Sequence, residues 1–335
     1  MKTLLTTCLM SIACMALAQK PFKPANKAYP ADEVVVHDPV IAKEGNTYYM
    51  YSTGMGITVS SSNDGMKTWH FEKPVFETTP QWTMDKIPNF RGHMWAPDVI
   101  YHQGRWHMFY VCSIGGKNTS LIGHISSPTL DPKAKGYGWE DHGMVIQSVP
   151  GRDMWNAIDP NIIFDEEGTP WMSFGSWWEG IKLVKMTSDL MALAEPQEWH
   201  TLSKRPRSFD FDEDNAGDAP VEAPFIIEHD GYYYLFVSFD YCCRGTESTY
   251  KVVVGRSKKV TGPYLDKEGN RMDRDGGSIV VQGNEKWAGI GHNAAYTFEG
   301  KDYFVSHAYD RKDGQSYLFL REMKWDSEGW PIVEP

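Results

Sequence analysis

Three acidic residues stand at the heads of three similar segments: Asp38 in HDPVIAKEGNTYYMYS (37 to 52), Asp159 in IDPNIIFDEEGTPWMSFGS (158 to 176) and Glu222 in EAPFIIEHDGYYYLFVS (222 to 238). Carboxyl groups in different protonation states can divide the work of breaking a glycosidic bond. One gives a proton to the leaving oxygen, and another activates water or attacks carbon. A third carboxylate close to the acid would raise its pKa by like-charge repulsion and keep it protonated near neutral pH. The longer side chain of Glu222 suits the acid, Asp159 is placed to tune it, and Asp38 is left as the base. Taken singly, an aspartate before proline is more often a turn residue. The recurrence of acids at corresponding heads is what argues for one shared site.

Such a site needs elements that bring these acids together, since 121 residues separate Asp38 from Asp159 and 63 separate Asp159 from Glu222. Two further segments, WAPDVIYHQGRWHMFYV (95 to 111) and HNAAYTFEGKDYFVSH (292 to 307), follow the same template. Each copy runs from a polar head through a short apolar strand and a Gly-bearing turn to an aromatic strand. One strand–turn–strand unit cannot bury its own apolar face, so the copies must stack on one another. Pro39, Pro97, Pro160 and Pro224 lie 58, 63 and 64 residues apart. That spacing leaves room for about four short strands per unit plus loops, which predicts an all-β, five-bladed β-propeller. NDG (63 to 65), EEG (166 to 168), HDG (229 to 231) and FEG (298 to 300) supply hairpin signals. Long amphipathic helical patterns are absent, and no linker divides the chain, so residues 19 to 335 read as a single domain.

Proline is tolerated at strand entry because no ladder donor is needed there. The residues before it therefore belong at the mouth of the central channel. One discord stands in this pattern. Asp38 and Asp159 immediately precede Pro, whereas Glu222 lies two before it, in register with His37 and Trp95, so that either the longer side chain or a bulge must compensate. The fifth head has Ala294 where the others have Pro. The irregular stretches 78 to 94, 131 to 156 and 203 to 221 lie just upstream of heads and should gather on one rim of the channel. FDFDEDNAGD (209 to 218) lacks the ligand spacing of a calcium loop and reads as a solvated border.

Residues 1 to 18 have the form of a secretory signal: Lys2, an apolar stretch from Leu4 to Met15, and the small-residue end Ala16-Leu17-Ala18. An exported chain, periplasmic or secreted and without a membrane span, is the expectation. Cys14 as a lipid attachment site is the less favoured reading, because Ser11 stands where such a motif usually has Leu. Beyond the leader, Cys112, Cys242 and Cys243 are too few and too oddly numbered for a disulfide framework. A bridge from Cys112 to either of the others, or between the adjacent pair, remains open. With 33 basic against 44 acidic residues and no basic stripe, a nucleic acid is not the expected partner. A neutral ligand fits better. The 13 Trp and 17 Tyr include rings able to stack on sugars, although blade packing accounts for most of them.

At the HDP, IDP and EAP heads the chain resembles glycoside hydrolase family 43, five-bladed propellers that act with inversion on arabinose- and xylose-containing polysaccharides. The resemblance covers essentially the whole chain after the leader. It implies Asp38 as base, Asp159 as the pKa-modulating acid and Glu222 as the general acid. Within the family, residues 156 to 181, DYCCRGTESTYKVVVGRS (240 to 257) and GIGHNAAY (289 to 296) are similar to endo-acting 1,5-α-L-arabinanases. The implied activity is cleavage of internal α-1,5-L-arabinofuranosyl linkages by a monomer acting on arabinan or arabino-oligosaccharides. His37, Trp95, Asn156 and Ser176 are implied in substrate binding, Trp95 by stacking on a sugar ring and Asn156 and Ser176 by hydrogen bonds near the cleaved bond. His292 would hold a calcium-type ion in the channel, largely through water. Asp98 is expected to be structural. Two alternatives stand: an exo-acting arabinofuranosidase or β-xylosidase on the same scaffold, and a non-catalytic sugar-binding propeller.

Overall fold

The computed structural model describes residues 27–207 and 216–334. The expected leader, Cys14 and most of the 209–218 loop lie outside them. Five antiparallel sheets form the blades of a propeller. Each starts on the axis with the strand that follows a repeat head: Val40–Glu44, His93–His102, Asn161–Phe164, Val221–His229 and Trp287–Phe298. Successive strands then pair outward in chain order, with Ala28–Pro30 added at the outer edge of the first blade and Gly54–Met55 paired to the inner strand of the second. The first hairpin of every blade turns through a glycine at positive φ (Gly45, Gly104, Gly168, Gly231 and Gly300). Space is not the reason, since an added Cβ would meet at most the tip of a lysine. The left-handed backbone is what requires glycine there.

The five heads share one distortion. Asp38, Ala96, Asp159, Ala223 and His292 all have positive φ, between 28° and 58°. Around three of them the pairing register slips between Trp95 and Asp98, between Glu222 and Phe225, and between Gly291 and Ala294, so two residues oppose one. This is a β-bulge repeated at the channel mouth. It settles the discord in the sequence. Asp38 and Asp159 occupy the kinked position, and Glu222 occupies the position before it, where the other blades place His37, Trp95, Ile158 and Gly291. It also corrects the fifth head: His292 aligns with Asp38, and Asn293, not Ala294, stands where the others have Pro.

Apolar layers between adjacent blades form the core. Phe109 and Val111 pack with Ile162 and Phe174, and Leu183 packs with Leu235 and Val253. The ring closes at the start of the chain. Val36 N–H donates to Ser316 O at 3.1 Å and Leu318 N–H donates to Val34 O at 2.9 Å, so the first blade's leading segment extends the last blade. Two of the expected irregular stretches carry structure. Residues 78 to 94 contain the helix Gln81–Lys86 and the start of an inner strand, and 131 to 156 contain the strand Glu140–Ser148. Among the described residues no helix is long and apolar enough to cross a membrane.

Candidate active site

At four of the five kinks a side chain of the preceding blade accepts the N–H. Thr53 Oγ1 takes Ala96 N–H (2.8 Å), Asp159 Oδ2 takes Ala223 N–H (3.1 Å), Ser238 Oγ takes His292 N–H (2.8 Å) and His307 Nδ1 takes Asp38 N–H (3.1 Å). Orphaned buried donors are costly, so this ring of caps fixes the heads around the axis. A cavity of about 510 Å³ opens over them, lined by Asp38, Asp159, Glu222 and His292 together with His37, Thr53, His93, Trp95, Cys242 and Cys243. The three acids expected to converge do so.

Their environments differ. Asp38 Oδ1 lies 3.1 Å from His292 Nδ1, 3.4 Å from His37 Nδ1 and 3.5 Å from His307 Nδ1, and Thr53 donates its hydroxyl to Oδ2. Burial acts to raise the Asp38 pKa, but His292, His37 and His307 outweigh it and hold the carboxyl well below the usual range. Asp159 is 6% exposed, and burial first, then charge on Glu222 and Asp38, pushes its carboxyl well above that range. Glu222 accepts Ser176 Oγ–H on Oε2 at 2.7 Å and Tyr250 Oη–H on Oε1 at 2.6 Å. The arrangement therefore favours charge on one acid and a proton on another, and clamps the third between two hydroxyls, which suits paired acid–base work.

Of the other expected site residues, some line the cavity and some do not. Trp95 and His37 line the cavity, with Trp95 Nε1–H donating to His93 Nδ1 at 3.1 Å. Ser176 reaches the site through Glu222. Asn156 is buried, and its amide oxygen accepts from Ser148 Oγ at 3.5 Å. Asp98 is structural as expected: its carboxylate accepts Ile162 N–H at 2.7 Å, tying blade 2 to blade 3. Cys242 and Cys243 bridge each other, and Cys112 is buried and free.

Sequence reasoning missed Thr53, Tyr250, His307 and Tyr309. Tyr250 reaches Glu222 because blade 5 carries Gly291 at the position before the kink, where any Cβ would overlap the Tyr250 ring. His307 and Tyr309 alternate on one strand and so share a face, a period-2 signal present in the sequence but common to every strand.

Comparison with known proteins agrees with this geometry. Over 311 residues the chain is 52% identical to the extracellular exo-α-(1→5)-L-arabinofuranosidase ArbA of Cellvibrio japonicus, covering 92% of this chain and 89% of that protein. It is 40% identical to the extracellular endo-α-(1→5)-L-arabinanase 1 of Bacillus subtilis, covering 92% and 91%. The structure of the Cellvibrio cellulosa α-L-arabinanase complexed with arabinohexaose superposes with a TM-score of 0.87 at 51% identity, over 90% of this chain and 96% of that one. The model of the family described as glycosyl hydrolases family 43 matches residues 29–331. Nearly the whole propeller is thus accounted for, and the chain belongs to glycosyl hydrolases family 43.

Proposed function

We propose that this chain is an inverting hydrolase of α-1,5-linked L-arabinan, with Glu222 as general acid, Asp38 as general base and Asp159 as the residue that tunes the acid. The carrying observation is the convergence of three acids from three blades in one cavity, two of which, Asp38 and Asp159, have opposed proton affinities. Asp38, kept ionised by its imidazoles, is suited to take a proton from water. Burial and neighbouring acid charge favour a proton on Asp159, and Glu222, its oxygens held by Ser176 and Tyr250, is the carboxyl from which the leaving oxygen takes a proton. Inversion calls for a base and an acid about 6.5–9.5 Å apart, leaving room for the attacking water. Trp95 on the cavity wall suits stacking on a furanose ring.

Asp38→Ala and Glu222→Ala should each lower arabinan cleavage by about 10³-fold or more while thermal unfolding stays near that of the parent. Full activity in either variant removes the assignment. Arabinan binding without new reducing ends would instead favour the non-catalytic sugar-binding reading.

Internal cleavage is the mode that the sequence segments around 156 to 181 and 240 to 257 support. Chain-end cleavage is favoured by the greater identity to the exo-acting relative, 52% against 40%. Early release of mixed oligosaccharides from linear arabinan marks the first, and monomer or one short product marks the second. An exported location accords with the leader and with relatives named extracellular.

A calcium-type ion near His292 is part of the proposal. Both amide atoms of Asn293, Ser306 Oγ and His307 Nε2 are buried without a protein hydrogen-bond partner; the oxygens fit hydration or a hydrated cation, and the nitrogens, as donors, fit water. His292 and Asn293 would hold it, and its charge would favour ionised carboxylates nearby. Titration calorimetry of chelated protein with calcium should show binding that His292→Ala weakens. Equal binding by both proteins would remove the assignment.

A further inference from the structure

The adjacent Cys242 and Cys243 form a disulfide, and both line the cavity that holds the three acids. The proton chemistry above makes no use of them. Cys243 N–H donates to Tyr309 Oη at 2.9 Å, and that oxygen lies 2.7 Å from His37 Nε2 and 3.7 Å from Cys243 Sγ. Across the same imidazole, His37 Nδ1 stands 3.4 Å from Asp38 Oδ1. A continuous series of contacts therefore runs from a loop of blade 4, through a strand of blade 5, to the head of blade 1.

We propose that the Cys242–Cys243 disulfide is a positioning element of the active site, which fixes Tyr309 and through it the His37 ring against Asp38. This rests on the assignment of Asp38 as the base. A bond between neighbouring residues closes the smallest ring a disulfide can make in a peptide and removes most of the backbone freedom of both. Cys243 needs that restraint. Its φ is +64°, a region that residues other than glycine seldom hold, and it is exposed, so burial contributes little to keeping it there. Tyr309 is 3% exposed and its hydroxyl needs partners. When that hydroxyl accepts the Cys243 N–H, its own hydrogen is directed to His37 Nε2. A ring so bonded presents an Nδ1–H to the Asp38 carboxylate. Loss of the bond frees the Cys243 N–H, and the tautomer and tilt of His37 lose their reference.

The test uses the intact protein on linear arabinan. It compares the oxidised enzyme, enzyme reduced by dithiothreitol, C242S/C243S, Y309F and the triple variant, with alkylation and mass spectrometry confirming which thiols are free. Reduction should lower kcat by about tenfold with KM within about twofold, since small displacements of a catalytic constellation act on the chemical step. Reoxidation should restore it. C242S/C243S should add nothing in the Y309F background, because both changes break one linkage. Multiplying effects, or an unchanged kcat after full reduction, overturn the inference. The ring NMR signal of His37, assigned by its loss in H37Q, provides a readout free of turnover and should move on reduction. Movement of that signal in a protein that does not cleave arabinan keeps the positioning role and rejects the hydrolase reading. A fixed signal in an active enzyme does the reverse, and a fixed signal in an inactive one rejects both. Should C242S/C243S fail to fold, the reduction and reoxidation arm decides.

Discussion

In Asp159 one carboxyl group serves two purposes. Its Oδ2 accepts the N–H of Ala223, the residue after Glu222, and burial with nearby acid charge holds its proton. The Asp159→Asn variant separates these roles, because an amide oxygen still accepts the N–H but cannot titrate. We expect kcat on arabinan to fall about 10²-fold with little change in unfolding temperature. The alkaline limb of kcat/KM should lose the step that ionisation of Asp159 contributes, since an amide has no proton to give up there. An alkaline limb that stays in place would show that Asp159 acts by geometry alone. Asp159→Ala should cost about 1–3 kcal/mol of stability as well, by orphaning the Ala223 N–H.

The inner strands are held to one another by side chains rather than by ladders. Asp98 accepts Ile162 N–H, Asn161 Oδ1 accepts Ile226 N–H at 2.9 Å, and Tyr296 Oη accepts Ile41 N–H at 3.2 Å, each joining two blades. Burial pushes the Asp98 carboxyl up to about 7 against the pull of its backbone donors. A raised acid binds its proton more tightly when folded. Stability from this group is therefore complete below the unfolded value, about 3.9, and is lost as pH rises from there through about 7. Asp98→Asn should remove that slope, leaving the urea midpoint flatter than the parent's across this window by an amount equivalent to a few kcal/mol. Parallel curves for the two proteins would place the Asp98 pKa in the ordinary range.

At the scale of the molecule, the ring depends on a closure between distant parts of the chain. Val34 and Val36 are buried against Val305 and Leu318, and their backbone bonds to blade 5 join the first blade to the last. Val34→Asp places an unpaired charge in that seam. We expect a loss of several kcal/mol, read as a lowered denaturation midpoint, with activity falling in step because the blade 1 head carries Asp38. An unchanged midpoint would mean that closure contributes little to holding the ring.

The blades were legible because their signals are local. Proline at strand entry, glycine at a left-handed hairpin turn and an aromatic return strand act through the sterics of a few consecutive residues, and these recur at a fixed period. Asp38, Asp159 and Glu222 could be named for the same reason, since they ride on those heads. Other parts of the site were decided only by folding. Tyr250 reaches Glu222 because Gly291, on another blade, leaves it space; His307 and Tyr309 face Asp38 and His37 across the closure; and the bulge sets Glu222 one residue apart from its partners. Such contacts depend on register between sheets and on which side chain a neighbouring blade leaves out, and no short stretch of sequence encodes either.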